Sequence, residues 1–122
     1  ELGKTIGEEL LRIHKSYQKI ISPLLDIDLI KGISHITGGG IIGNTKRIVP
    51  KGLNIKIDWN SWQMLPIFKL IQNTGNIDDE EMRAVFNLGI GLIIIVSKDN
   101  LNNVLERIQI EDPKIIGEIV KE

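Results

Sequence analysis

The sequence predicts an α/β (α+β) domain, with helices on both faces of a central mixed four-stranded sheet in a three-layer α/β/α arrangement. Three observations lead there. Segments with the helical spacing of apolar residues alternate with short segments that carry the strand period of two. One of the strand segments, 89–97, contains an unbroken run of Ile, Val and Leu, the pattern of a strand covered on both faces. The chain has 122 residues with no repeat, low-complexity stretch or linker, so residues 1–122 are read as a single domain.

The elements follow in order. Leu10, Ile13, Tyr17, Ile20, Ile21 and Leu24 recur at steps of three and four, predicting a helix over 8–22 that Pro23 ends or kinks. A strand is expected at 33–37, then three glycines at 38, 39 and 40. Asn44 is placed as the cap of a brief helical turn through Val49, closed by Pro50 and Gly52. Leu53, Ile55 and Ile57 alternate along a strand at 53–58. A helix over 62–73 leads to a turn at Gly75-Asn76. Asp78, followed three residues later by Glu81, opens a helix to about Asn87. The apolar strand follows, then a helix over 99–108 and a last strand over 114–120.

Composition excludes several classes of function. Net charge is −1, and the densest basic group, Lys46, Arg47 and Lys51, is far smaller than the footprint of a nucleic-acid-binding face. There is no cysteine, which rules out disulfides and thiolate metal sites and fits a reducing compartment such as the cytosol. The longest apolar run, 92–96, is too short to span a membrane as a helix. The chain opens on Glu1 rather than Met and is read as part of a longer protein.

The segment Gly38-Gly39-Gly40-Ile41-Ile42-Gly43 satisfies G-x-G-x-x-G, with Asp58 near the end of the next strand. A dinucleotide-binding unit also needs a crossover helix, and Pro50 and Gly52 interrupt too soon for one. A more general property remains. Glycines after a strand let backbone N–H groups approach a ligand without obstruction from Cβ. A helix beginning at Asn44 would aim its positive end at the same place, and Arg47 would add a bidentate contact to a phosphate. The residues equally allow a tight turn where helix and sheet pack closely, and both readings stay open.

His35 stands two residues before the glycines, on the same strand face as Thr37. As a lone strand histidine it is either a structural residue or a polar group of the site. His14 is placed on the first helix at an exposed position. Two histidines this far apart in sequence, with no carboxylates clustered between them, are not read as a metal site. Asp78, Asp79, Glu80 and Glu81 suit the first turn of a helix through its macrodipole and need no ligand. Trp59 and Trp62 are expected to pack at a domain edge.

Several segments, in order along the chain, carry a family resemblance. Gly3-Lys4-Thr5-Ile6-Gly7-Glu8-Glu9-Leu10-Leu11 resembles the opening LGKTLGEELL of the C-terminal domain of the phosphoribosylformylglycinamidine cyclo-ligases, the aminoimidazole ribonucleotide synthetases. His35-Ile36-Thr37-Gly38-Gly39-Gly40 is similar to their HITGGG, and Asn44 with Arg47-Ile48-Val49-Pro50 to the ENxxRVLP that follows. Ser61-Trp62, Pro66-Ile67-Phe68, Gly75-Asn76-Ile77, Glu81-Met82, residues 86–92 and Ile116-Gly117-Glu118-Ile119 resemble further family segments. The chain departs from the family at 13–17, where the relatives often read PTRIY. It also carries Leu65 for one of two paired prolines, and Gly43 where many members have Glu.

The resemblance implies ATP-dependent closure of formylglycinamidine ribonucleotide to aminoimidazole ribonucleotide in purine biosynthesis, by a cytoplasmic enzyme that is a homodimer at full length. It implies that ATP and Mg2+ are held mostly by an N-terminal domain, the natural partner of this one, with the active site in the groove between the two. It points to His35 as the catalytic group and to Thr37, Gly38, Gly39, Gly40, Asn44 and Arg47 as substrate- or phosphate-binding. Asn87, Gly89 and Gly91 would serve as structural supports. A related kinase, amidotransferase or selenophosphate synthetase of the same superfamily, or a stand-alone phosphate-binding module, is the alternative.

Overall fold

The structure, a computed structural model, describes residues 2–122. Helix α1 (Ile6–Leu10) starts from Thr5 in a capping box. The Thr5 hydroxyl accepts from the Glu8 N–H at 3.2 Å, and the Glu8 carboxylate accepts from the Thr5 N–H at 2.8 Å, so two otherwise orphaned donors are satisfied. The helix then stops, and an irregular stretch leads to α2 (Gln18–Leu25). The single helix expected over 8–22 is therefore two. The apolar period there did not mark one buried face: α1 buries nothing, and Leu11 and Ile13 are exposed. Pro23 lies inside α2 rather than ending it. It gives up one backbone donor, while Ile21 and Leu24 on either side are buried and hold the turn in place.

Strand β1 (Ile30–His35) runs into the glycines, and α3 (Gly40–Thr45) begins at once. Asn44 is thus near the end of this helix and not its cap; Gly39 holds the N-cap position. After β2 (Leu53–Ile57), α4 (Pro66–Gly75) starts at Pro66 in its first turn, where a missing N–H is harmless. It ends at Asn76 in the left-handed conformation. Helix α5 (Asp79–Val85) is capped as expected by Asp78, whose carboxylate accepts from the Glu81 N–H at 2.8 Å. Strand β3 (Leu92–Val96), a 3-10 turn at Lys98–Asn100, α6 (Leu101–Arg107), a second 3-10 turn at Gln109–Glu111 and β4 (Gly117–Lys121) complete the fold.

The mixed α/β composition is as expected, but the four strands pair two by two. β1 lies antiparallel to β3, and β2 antiparallel to β4, forming two ribbons instead of one mixed sheet. A cleft of about 890 Å³ opens between them, with Ile55, Ile57 and Ile119 on one side and residues 92–96 on the other. Every residue of β3 is half-buried and none fully, although the sequence reads as a strand covered twice. The best-covered part of the β1–β3 ribbon is the face against α2 and α6, where Leu24, Leu29 and Val104 form a cluster extended by Ile94, Val96 and Ile108. A second buried group, Ile36, Ile41 and Met82, lies where α3 packs on β1 and α5. That second group positions the glycine segment.

Candidate functional site

The site is built where β1 ends. The ladder places His35 opposite Leu92 and terminates with the Ile36 N–H donating to the Gly91 carbonyl at 2.9 Å. Ile36 is 2% exposed and Ile41 wholly buried, so the loop between them is pinned at both ends by apolar anchors. Between the anchors the chain turns sharply. Gly39 has φ +99° and Gly40 φ +64°, a region open to glycine at little cost and strained for other residues.

The glycines do different things. A Cβ on Gly40 would lie 2.0 Å from the Arg83 carbonyl oxygen, so the end of α5 passes directly against its backbone. Gly38 has nothing within 4 Å of such a Cβ, and Gly39 has only the Asn44 amide at 3.7 Å. Close packing and open approach, alternatives in the sequence, are both present on consecutive residues. Among the described residues, no backbone acceptor outside α3 takes the N–H of Gly38, Gly39 or Gly40.

Asn44 shapes this loop from inside. It is 6% exposed, and its Nδ2 donates to the carbonyls of Gly40 at 2.7 Å, Thr37 at 3.2 Å and Gly38 at 3.3 Å. The Thr37 hydroxyl donates to its Oδ1 at 3.4 Å. The amide is thereby turned toward loop carbonyls and away from solvent. Arg47 is in the turn after the C-terminal end of α3, the end opposite the glycines. The helix-terminus argument that joined Asn44 and Arg47 at one positive end therefore does not apply: the terminus beside the glycines belongs to Gly39 and Gly40.

Asn87, Gly89 and Gly91 form the turn that feeds β3. The Asn87 side chain accepts from the Gly89 N–H at 2.9 Å, and its carbonyl accepts from the Ile90 N–H at 2.9 Å. Gly89 has φ +99°, and a Cβ on Gly91 would lie 2.1 Å from the Tyr17 hydroxyl. This close contact brings Tyr17 alongside the end of β1.

His14 arrives with it. Its Nε2 lies 3.1 Å from the Nε2 of His35, and the Tyr17 ring stands edge-on to both imidazoles with centroids 6.4 Å away. His14 is exposed but sits in the irregular stretch before α2 rather than on a helix. Separation by 21 residues hid this pair from the sequence, and tertiary packing, including that of Tyr17 against Gly91, brings it together. The tryptophans pack as expected: Trp59 and Trp62 lie 5.8 Å apart, Trp62 donates to the Leu88 carbonyl at 3.0 Å, and Arg83 lies over Trp59 at 4.7 Å. Among the described residues no three His, Cys, Asp or Glu side chains gather as a metal site, and no helix is long and apolar enough to cross a membrane.

β1 ends at His35, and Ile36-Thr37-Gly38-Gly39 lead directly into α3 at Gly40. The chain belongs to the family described as AIR synthase related protein, C-terminal domain, which it matches over residues 1–122. Its curated relatives include phosphoribosylformylglycinamidine cyclo-ligases. The one from Pseudothermotoga lettingae is 44% identical over 122 residues, covering 98% of this chain and 36% of that protein. Those of Acetivibrio thermocellus and Syntrophus aciditrophicus are 45% and 49% identical, covering 99% and 98% of this chain and 36% and 35% of theirs. The chain thus spans about a third of the length of these relatives.

Proposed function

We propose that this chain is the C-terminal part of a phosphoribosylformylglycinamidine cyclo-ligase that works in purine biosynthesis in the cytoplasm, as a homodimer. The observation that carries the proposal is the loop after β1. It presents bare backbone at Gly38 and Gly39 beside the exposed side chains of His35 and Thr37, and Asn44 holds it in shape from within. Backbone N–H groups free of Cβ suit a phosphate-bearing substrate, here formylglycinamidine ribonucleotide.

In the reaction, ATP phosphorylates the formyl amide oxygen, which turns a poor leaving group into a good one. The neighbouring amidine nitrogen attacks the activated carbon, the imidazole ring closes, and ADP and phosphate leave. This chain's part is positioning and charge stabilisation. The loop amides hold an anionic oxygen, and His35 donates a hydrogen bond or moves a proton at its rim. ATP and Mg2+ would be held mostly by an N-terminal domain, the proposed partner of this one.

The test is an assay of the complete protein for ADP formation dependent on formylglycinamidine ribonucleotide. ADP release without that substrate, or none with it, overturns the proposal. In the same assay His35→Ala is expected to lower turnover far more than it lowers stability. An equal loss of both would leave His35 a structural residue.

A further inference from the structure

We infer that His14 and His35 form a two-imidazole chelate for a transition-metal dication of the zinc, nickel or copper kind. Their Nε2 atoms lie 3.1 Å apart, with ring centroids at 5.3 Å and ring planes at 67°, so the exposed rings meet nearly head-on and each must tilt to turn its lone pair toward a shared ion. An imidazole nitrogen binds zinc at about 2.0–2.1 Å, so two nitrogens at this spacing subtend roughly 98° at a shared ion. That angle lies between the right angle of octahedral and square-planar coordination and the wider tetrahedral one. Without metal, the spacing suits a hydrogen bond in which one ring carries its proton on Nε2 and the other accepts. With metal, each neutral ring keeps its single proton on Nδ1, and both Nε2 lone pairs are free for the ion.

The two rings are presented from anchored backbone. His35 closes β1 in register with Leu92 of the partner strand. The segment bearing His14 is tied on its far side by an ion pair between Lys15 and Glu111 of the second 3-10 turn, and by Tyr17 where it meets Gly91. Both histidines are exposed, which gives an ion a path to them and leaves its remaining positions to water. Two nitrogens held at chelating distance are the feature that distinguishes this pair from ordinary surface histidines, each of which offers one ligand. The inference shares His35 with the cyclo-ligase proposal and is tested separately from it, by metal binding that the assay of ADP formation does not read.

The experiment is titration of ZnCl2 into the protein in a non-coordinating buffer, followed by calorimetry and by NMR of the histidine side chains. One ion per chain is expected, with both imidazole signals responding together. His14→Gln and His35→Gln are each expected to weaken binding at least about tenfold, the effect of roughly 1.4 kcal/mol of lost coordination. Circular dichroism checks that the variants keep their fold. His14→Gln, on an exposed irregular stretch, decides the matter if the strand variant does not fold. Parental affinity in His14→Gln, a response from only one imidazole, or no binding at millimolar zinc would each overturn the chelate.

Discussion

Replacing Gly40 by alanine tests the architecture of the loop most directly. Two separate effects act on the new methyl group. At φ +64° an L-residue lies in the left-handed region, which costs about 1–2 kcal/mol. Its Cβ would also stand 2.0 Å from the Arg83 carbonyl oxygen, so α3 and the end of α5 must separate. Forcing an extra methyl into a packed contact costs about 1–3 kcal/mol. Together they give about 2–5 kcal/mol, a large share of the roughly 5–15 kcal/mol that holds such a domain folded. The neighbours serve as controls. Gly39→Ala, at φ +99° with no close neighbour, should lose only the conformational part, about 1–2 kcal/mol. Gly38→Ala, with open space and no left-handed φ, should stay within about 0.5 kcal/mol of the parent. Urea unfolding followed by far-UV circular dichroism gives all three values by linear extrapolation. If Gly40→Ala is as stable as Gly38→Ala, the close approach of α5 to the loop is wrong.

Two further perturbations probe the same region and the opening helix. Asn44→Ala removes the donor shared by the carbonyls of Thr37, Gly38 and Gly40 in a buried position, and should cost about 1–3 kcal/mol. Urea unfolding reads that loss, and faster amide exchange at residues 37–40 would show that the loop itself has loosened. At the N-terminus, the hydrogen bonds from the Thr5 backbone and then from its side chain hold the Glu8 carboxyl below its ordinary 4.5. Because the folded value is the depressed one, this contribution to α1 is full above 4.5 and fades as the pH falls through the lower folded value. An NMR titration should therefore give Glu8 a midpoint below 4.5, moving only part of the way back in Thr5→Ala, which removes the side-chain hydrogen bond and keeps the backbone donor. An unshifted Glu8 in the parent would show that the capping box does not persist in solution.

What was legible in the sequence was local. The cap at Asp78, the strand read at 53–58 and found at 53–57, and the α/β mixture follow from hydrogen bonds and periodicities that span a few residues. The glycine run announced a special backbone because only glycine reaches φ +64° and +99° at low cost. The division of the first helix was not legible: an apolar period signals a helix only when its face is covered, and Leu11 and Ile13 remain exposed. Nor was the pairing of β1 with β3 and β2 with β4, since strand order depends on contacts between residues about 60 positions apart. The site divides in the same way. The sequence by itself determined which groups are available: His35, Thr37, three glycines and Asn44. Only the tertiary structure decided that Gly40 is a packing residue and Asn44 an internal clasp, that Arg47 lies beyond the far end of α3, and that His14 meets His35. The physical reason is that backbone preference is a property of neighbouring residues, whereas which carbonyl or imidazole faces a given atom is set by how separate elements pack.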